Sequence, residues 1–465
     1  MENKIDIKKL FYVLFAFVCF IFIPNFVKYL HGCFNTWDFG IFVEATQKLG
    51  WNQLNPLINS YGFKIFNDHF DPILFLPTFL NQLFPSSVSL LGTELLFVLL
   101  SILPIYLLNK KNKLETNLSW FLIIYILINK AIITALFYPV HPTTWTVAVL
   151  AFMFYFAYEK KYLSLFVSTV LLFFFKEEFP FVGIMTSFYF LYEHRKNKLS
   201  LTYFFTLLFI SVAWLIFAVK IRPIWFGGAF NDHGGNFLNG LISNPLSVLN
   251  EYDFSKLKLI ASCFLPVLLV FFFNKENLKK VFWPAIFMTT PMIALRLLSG
   301  KFGFQYTAPF VIPFAFLLLN KDFKLSTKQL SLTIVLMLIF SGFTIFKEVF
   351  FVAKGITKSG CALDSNRRTA IEQIVQFDYA TSCKEVFATG GAAFTLSTHK
   401  IYPKIIGPKG SDLPPESCIV LDVKSGDPYP RSSKDVQDFS LKFPTIFSNS
   451  DFILLKTHPL NKSQD

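Results

Sequence analysis

Charge is what this sequence has least of. Of its 465 residues only 16% are Asp, Glu, Lys or Arg, against about 25% in a typical soluble domain. A chain this poor in charge cannot cover its apolar surface in water, which excludes a soluble globular enzyme and a disordered protein. Arginine is scarcer still, with six residues against 37 lysines. The six cysteines include no Cys-x-x-C pair and no Cys/His cluster, which argues against a structural zinc site and a small disulfide scaffold. Cys19, Cys33 and Cys263 lie in or beside apolar runs, and Cys361, Cys383 and Cys418 lie in the C-terminal tail. Three tail cysteines allow one disulfide and leave one over.

What the sequence has instead is apolar bulk: 53% hydrophobic residues, 61 of them Phe, and a mean hydropathy of +0.50. This composition reads as a multipass membrane protein. The net charge of +13 then matters through where the lysines sit rather than through their sum, and nucleic acid is not an expected partner.

A hydrocarbon core of about 30 Å needs roughly 20 mostly apolar residues per helix. Cutting the chain where charges interrupt such runs predicts eleven spans, at 10–30, 88–108, 118–137, 143–158, 161–175, 178–193, 201–220, 257–273, 281–297, 307–319 and 329–351. The first run, Leu10 to Val27, is followed by no small-residue cleavage site, so it reads as a retained span rather than a signal peptide. With a cytoplasmic N-terminus, Lys4, Lys8 and Lys9 and then every second loop carry basic clusters. These are Lys110, Lys111 and Lys113; Lys160 and Lys161; Arg195, Lys196 and Lys198; Lys275, Lys279 and Lys280; and Lys321, Lys324 and Lys328. That alternation is what the positive-inside rule requires, and it predicts a multipass protein with a cytoplasmic N-terminus and an external tail.

The segment 70–86 is too short to span and fits an interfacial or re-entrant helix in the first outer loop, 31–87. Residues 1–351 form the expected membrane domain, and 352–465 an extracytoplasmic α/β domain. In that tail Arg367 to Phe377 has helical spacing, while Glu385 to Ala388, Cys418 to Val423 and Phe452 to Lys456 read as strands.

Charged groups at membrane depth are costly, so those interrupting apolar runs carry functional expectations. They gather on the outer side. The first outer loop contains Asp38, within Asn35-Thr36-Trp37-Asp38-Phe39-Gly40, and later His69-Phe70-Asp71-Pro72. A carboxylate there could act as general base, or Asp38, Asp71 and His69 could hold a divalent metal. Alternatively, they are ordinary loop polars. His141 lies between Pro139 and Pro142 in a very short loop, where the prolines hold it rigidly or simply make a turn. Lys176-Glu177-Glu178 places three charges in a tight connection that Gly or Asn would normally fill, and charges there need partners or water. Arg222 and Arg296 fall at the outer ends of spans with Lys301 nearby, a placement suited to a phosphate headgroup and equally to interfacial snorkelling. Gln305 and Tyr306 precede Pro309 in the last outer loop; Tyr306 alone would pass for an aromatic-belt residue. Thr389-Gly390-Gly391 has the look of a phosphate loop but lacks its lysine and spacing.

Taken in order, Asp38-Phe39-Gly40-Ile41-Phe42, His69-Phe70-Asp71-Pro72, His141-Pro142, Lys176-Glu177-Glu178 and Gln305-Tyr306 before Pro309 resemble the motifs of a large prokaryotic family of multipass membrane proteins of unassigned activity, grouped with the GT-C glycosyltransferases. The resemblance runs over roughly residues 10–350. It implies a GT-C-like fold, in which a first-loop acid serves as base or metal ligand and further spans hold a polyprenyl-phosphate donor. Asp38 matches that first acid, and Asp71 with His69 the second acidic position. Glu177, Glu178, Gln305 and Tyr306 match motifs without an assigned role.

The resulting expectation is a membrane glycosyltransferase that moves a sugar from a polyprenyl-phosphate donor to a glycan, lipid or protein acceptor at the outer leaflet. Asp38, Asp71, His69, Glu177 and Glu178 would be its catalytic set. His141, Lys176, Arg222, Arg296, Lys301, Gln305 and Tyr306 would bind substrate. The competing readings are a transporter or lipid flippase, favoured by intramembrane Glu94 and Lys130, and a non-catalytic envelope protein.

Overall fold

The computed structural model describes residues 4–34, 39–59, 62–138, 140–193, 199–226, 254–299, 306–339, 343–357, 361, 363–405, 413–423 and 441–457. It forms two compact units. One comprises Met1–Cys19, Phe66–Ile73 and Gly92–Ile345; the other comprises Phe20–Ile65, Leu74–Leu91 and Phe346–Asp465.

Among the described residues, five helices are long and apolar enough to cross a membrane: Ile7–Leu30, Ser86–Lys110, Thr116–Phe137, Leu199–Phe226 and Lys256–Phe273. Shorter apolar helices follow the same pattern at Pro142–Tyr158, Tyr162–Leu172 and Pro284–Leu297. Local sequence sets their ends. Glu115 accepts from the N–H groups of Asn117 and Leu118 to open the helix Thr116–Ile128. Asn129 interrupts that helix with extended backbone and caps its continuation, Lys130–Phe137, through the Ala131 N–H. Ser326 and Gln329 form a reciprocal capping box at the start of Thr327–Met337. The helices Thr116–Ile128, Pro142–Tyr158 and Ala308–Phe316 are buried along most of their length. Leu199–Ile216, by contrast, leaves Phe205 and Phe209 exposed, as a lipid-facing helix does. Gly183 lets the helix Pro180–Glu193 approach closely: a Cβ there would lie 2.4 Å from both the Phe173 ring and Ser211 Oγ.

The second unit contains a short hairpin, β1 (Leu57–Ile58) and β2 (Phe63–Lys64). Its tail carries a five-stranded sheet of β3 (Val386–Ala388), β4 (Lys404–Ile405), β5 (Cys418–Asp422), β6 (Thr445–Ser448) and β7 (Phe452–Lys456), in the order β4-β3-β5-β7-β6. β3 pairs in parallel with β4 and β5, whereas β7 pairs antiparallel with β5 and β6. All five residues of β5 are buried, because both faces of this central strand are covered. Ala370, Ile374, Ala392, Leu396, Val420 and Leu454 belong to one core layer, and Ile419, Leu421 and Leu455 to the other. The helix Ser365–Val375 and the three expected strands lie within two residues of their sequence assignments.

The disulfides depart from the expectation. Cys383 bonds to Cys418, and the remaining tail cysteine, Cys361, bonds to Cys33. Counting cysteines within the tail alone could not find that second bridge, because its partner lies 328 residues upstream. The same link brings Gly32 against the tail. Its φ is +57°, and a Cβ would lie 2.4 Å from Thr395 Oγ1, so only glycine fits.

Candidate functional site

The polar residues singled out in the sequence meet largely within the first unit. The turn between the helices Tyr162–Leu172 and Pro180–Glu193 carries Lys176, Glu177 and Glu178, and the segment 69–73 runs beside it. The Ile73 N–H donates to the Phe174 carbonyl at 3.0 Å. His69 Nδ1 bonds Glu177 Oε1 at 2.9 Å, and the Phe70 N–H donates to Glu177 Oε2 at 3.3 Å. Two motifs 108 residues apart are thereby joined through one carboxylate. Asp71 is buried on the same segment.

Glu178 receives the Arg296 guanidinium, near the C-terminal end of the helix Pro284–Ser299. Arg296 lies 4.6 Å from the centre of the Tyr306 ring, and Lys176 Nζ lies 4.8 Å from it. Two cations on one ring draw on its negative face, an attraction that is stronger away from water. The His141 ring also packs on Tyr306, edge to face, with centroids 5.5 Å apart. Tyr306, expected from its motif to bind substrate, is therefore the residue on which Lys176, Arg296 and His141 meet.

His141 has a local reason for its place. Its Nδ1 accepts from the Thr143 N–H at 3.1 Å, capping the helix Pro142–Tyr158, whose first residue is proline. That bond fixes the neutral ring as the Nε2–H tautomer, leaving Nε2 as its donor. The His141 N–H in turn donates to Glu94 Oε1 at 3.3 Å. Glu94 thus adjoins the cluster, although the sequence marked it only as an intramembrane charge.

Burial and charge set the protonation of these groups. Burial would push the Glu177 carboxyl up, but His69 and Lys176 outweigh it and hold the group well below the usual carboxylate range. For His141, burial and the nearby cations Lys176, His69 and Arg296 act in the same direction and keep the ring neutral. Burial opposes the charge on Lys176, but Tyr306 and Glu178 more than offset it, and its pKa is raised. Neither motif carboxylate is an idle base: one is committed to His69 and the Phe70 amide, the other to Arg296.

The remaining expected residues fall elsewhere. Arg222 is buried, and its guanidinium donates to the carbonyls of Ala218 and Phe66 at 3.1 and 3.2 Å. This anchors the backbone three residues before His69. Asp38, Lys301 and Gln305 lie outside the described residues. Among the described residues, no three His, Cys, Asp or Glu side chains converge as a metal-binding group. Of the residues expected as metal ligands, His69 and Asp71 lie on one segment of this unit, and Asp38 lies outside the described residues. Thr389, at the start of the supposed phosphate loop, accepts the Asp422 N–H through its hydroxyl at 2.9 Å and serves the tail's own fold.

Comparison with known proteins gives the fold and the family. The structure is similar to the crystal structure of ArnT from Cupriavidus metallidurans bound to undecaprenyl phosphate. The match has a TM-score of 0.57 at 12% identity and covers 94% of this chain and 97% of that one. The expected GT-C-like membrane fold with a small C-terminal sheet is therefore the fold of this chain. No curated protein matches the sequence. The model of the family described as "Predicted membrane protein (DUF2079)" matches residues 33–359, and the chain belongs to that family.

Proposed function

We propose that this member of the DUF2079 family is an integral-membrane glycosyltransferase of the prokaryotic inner membrane, with its N-terminus cytoplasmic. It transfers a sugar from a polyprenyl-phosphate donor to an envelope acceptor at the outer leaflet. The observation that carries the reading is the convergence of Lys176 and Arg296 on the Tyr306 ring, beside His141. Glu178 answers the two cations from the protein side, and a phosphate oxygen is a second anion that both can hold. The shared fold with ArnT, crystallised with undecaprenyl phosphate, supports the same donor class.

In this reading Lys176 and Arg296 hold the donor phosphate. An acceptor hydroxyl oxygen attacks the anomeric carbon, and the bond from that carbon to the phosphate oxygen breaks. The polyprenyl phosphate leaves with the electron pair, its charge stabilised by the two cations. Asp38 takes the acceptor proton as general base. Glu178 and Glu177 orient Arg296 and His69 respectively, and so act as positioning groups. Lys301 and Gln305 extend the donor site from the last outer loop.

The test is mass spectrometry of envelope glycolipids and glycoproteins from cells lacking the protein, complemented with wild type or Asp38→Asn at matched membrane abundance. The expected result is a sugar modification that disappears on deletion and returns only with wild type. Full restoration by Asp38→Asn would remove Asp38 as the base. An unchanged profile on deletion would overturn transfer altogether and favour the transporter reading.

A further inference from the structure

The first unit contains a second polar cleft, of about 1100 Å³, that takes no part in the cluster around Tyr306. It is lined by three stretches far apart in sequence. Lys4, Asp6 and Lys9 come from the start of the chain, Asn112 to Asn117 from one loop, and Lys321 to Thr327 from another. All three belong to the segments that the lysine pattern assigns to one face of the membrane. Their meeting around one cleft agrees with that assignment.

Basic residues outnumber acidic ones in the lining of the cleft, four to three. Lys4, Lys9, Lys321 and Lys324 line it; among the described residues none of the four has a carboxylate within ion-pair distance, although Lys321 and Lys324 both act on Asp322 from further off. Its carboxylates are each engaged: Asp6 accepts the Lys8 N–H, Glu115 caps two backbone amides, and Asp322 pairs with Lys280 at 2.6 Å. The helices Ile7–Leu30, Thr116–Ile128 and Thr327–Met337 all begin at or beside it. Three helix N-termini add positive potential of their own. Trp120, a residue type favoured at the membrane interface, lies at its edge.

Apolar surface continues from the same helices. Ile7, Phe11 and Phe15 form an exposed row at helical spacing on Ile7–Leu30, and Leu332 and Val335 are exposed on Thr327–Met337. A charged recess above bare apolar helix faces has the shape of a phospholipid's own division into headgroup and chains.

We propose that this cleft is a binding site for a phosphate-bearing anion, supplied by the headgroup of an anionic phospholipid in the lysine-rich leaflet. It is separate from the donor site, and loss of the Asp38 role would leave it untouched. The test uses the purified full-length protein in detergent, incubated with equal amounts of phosphatidylglycerol or phosphatidylcholine and read by native mass spectrometry. Wild type should retain phosphatidylglycerol about tenfold more than phosphatidylcholine. The quadruple variant Lys4→Gln, Lys9→Gln, Lys321→Gln, Lys324→Gln should lose that preference, and Lys321→Glu with Lys324→Glu should reverse it. Because these lysines are exposed, the variants should melt as wild type does.

A parallel arm adds millimolar inorganic phosphate. Retention of phosphatidylglycerol in its presence supports the lipid source, whereas displacement supports a site that reads free phosphate as well. Equal retention of the two lipids by wild type, or an undiminished preference in both variants, overturns the proposal.

Discussion

Each unit of the molecule buries an arginine against a carboxylate, and the two arginines are used differently. In the tail, Arg367 and Asp422 are both fully buried, and the guanidinium grips both carboxylate oxygens, at 3.2 and 2.6 Å. Its other donors reach the carbonyls of His31 at 2.9 Å and Gly32 at 3.4 Å, beside the Cys33–Cys361 disulfide. Every direction of that fork ends on the protein itself, so the residue is a structural joint. In the first unit, Arg296 meets Glu178 and also lies 4.6 Å from the centre of the Tyr306 ring, near Lys176, and the two cations repel. In the proposed reading, the donor phosphate joins these two cations.

The same conservative substitution separates the two. Arg367→Lys keeps the charge but cannot fork between a carboxylate and two carbonyls, leaving buried acceptors without donors. The expected cost is about 3 kcal/mol, seen as a lower unfolding midpoint of the full-length protein and earlier proteolysis of the tail. A midpoint unchanged from wild type would show that the joint is not what holds residues 31–32 to the tail.

Arg296→Lys should do the reverse. The charge remains on Glu178, so the melting midpoint should stay near wild type. Phosphate loses its bidentate partner, and transfer should fall about 10- to 100-fold, or roughly 1.4 to 2.8 kcal/mol of barrier. Sugar transfer by purified protein from a polyprenyl-phosphate donor measures it. If stability collapsed while the residual folded protein kept full activity, Arg296 would belong with Arg367 as a joint.

The contrast also explains what could be read beforehand. The helical membrane character and the tail's strands follow from hydrophobic runs and alternation, which are local, and these were legible. So were most members of the polar cluster: Lys176, Glu177, Glu178, His141, His69 and Arg296 stand out because charge in an apolar chain needs a reason. What the sequence could not convey was pairing. The Gln305-Tyr306 motif marked Tyr306, but not that Lys176 and Arg296 would lie on its ring. Cys33 gives no sign that its partner is Cys361. Arg367 was overlooked although two of only six arginines are adjacent there. In a soluble-looking tail a charged residue draws no notice, and the buried acid that captures it lies 55 residues away.

The smallest effect, and the one that probes the site's electrostatics most directly, belongs to His141. Its ring is buried and accepts the Thr143 N–H, and burial together with neighbouring cations keeps its pKa well below the usual 6.5. The unfolded chain takes up a proton near pH 6.5 while the folded protein does not. Stability is therefore complete above that pH and is lost as the pH falls below it, by at most about 1.4 kcal/mol per pH unit from this group. His141→Asn retains an oxygen that can cap the helix but removes the titration. Thermal unfolding of both proteins in detergent between about pH 5 and 8 should show the gap between them shifting in favour of the variant as the pH drops. Parallel curves would mean that His141 accepts its proton in the folded state. Tyr306 would then carry three cations rather than two, and Lys176 with Arg296 could not be singled out as the phosphate-holding pair.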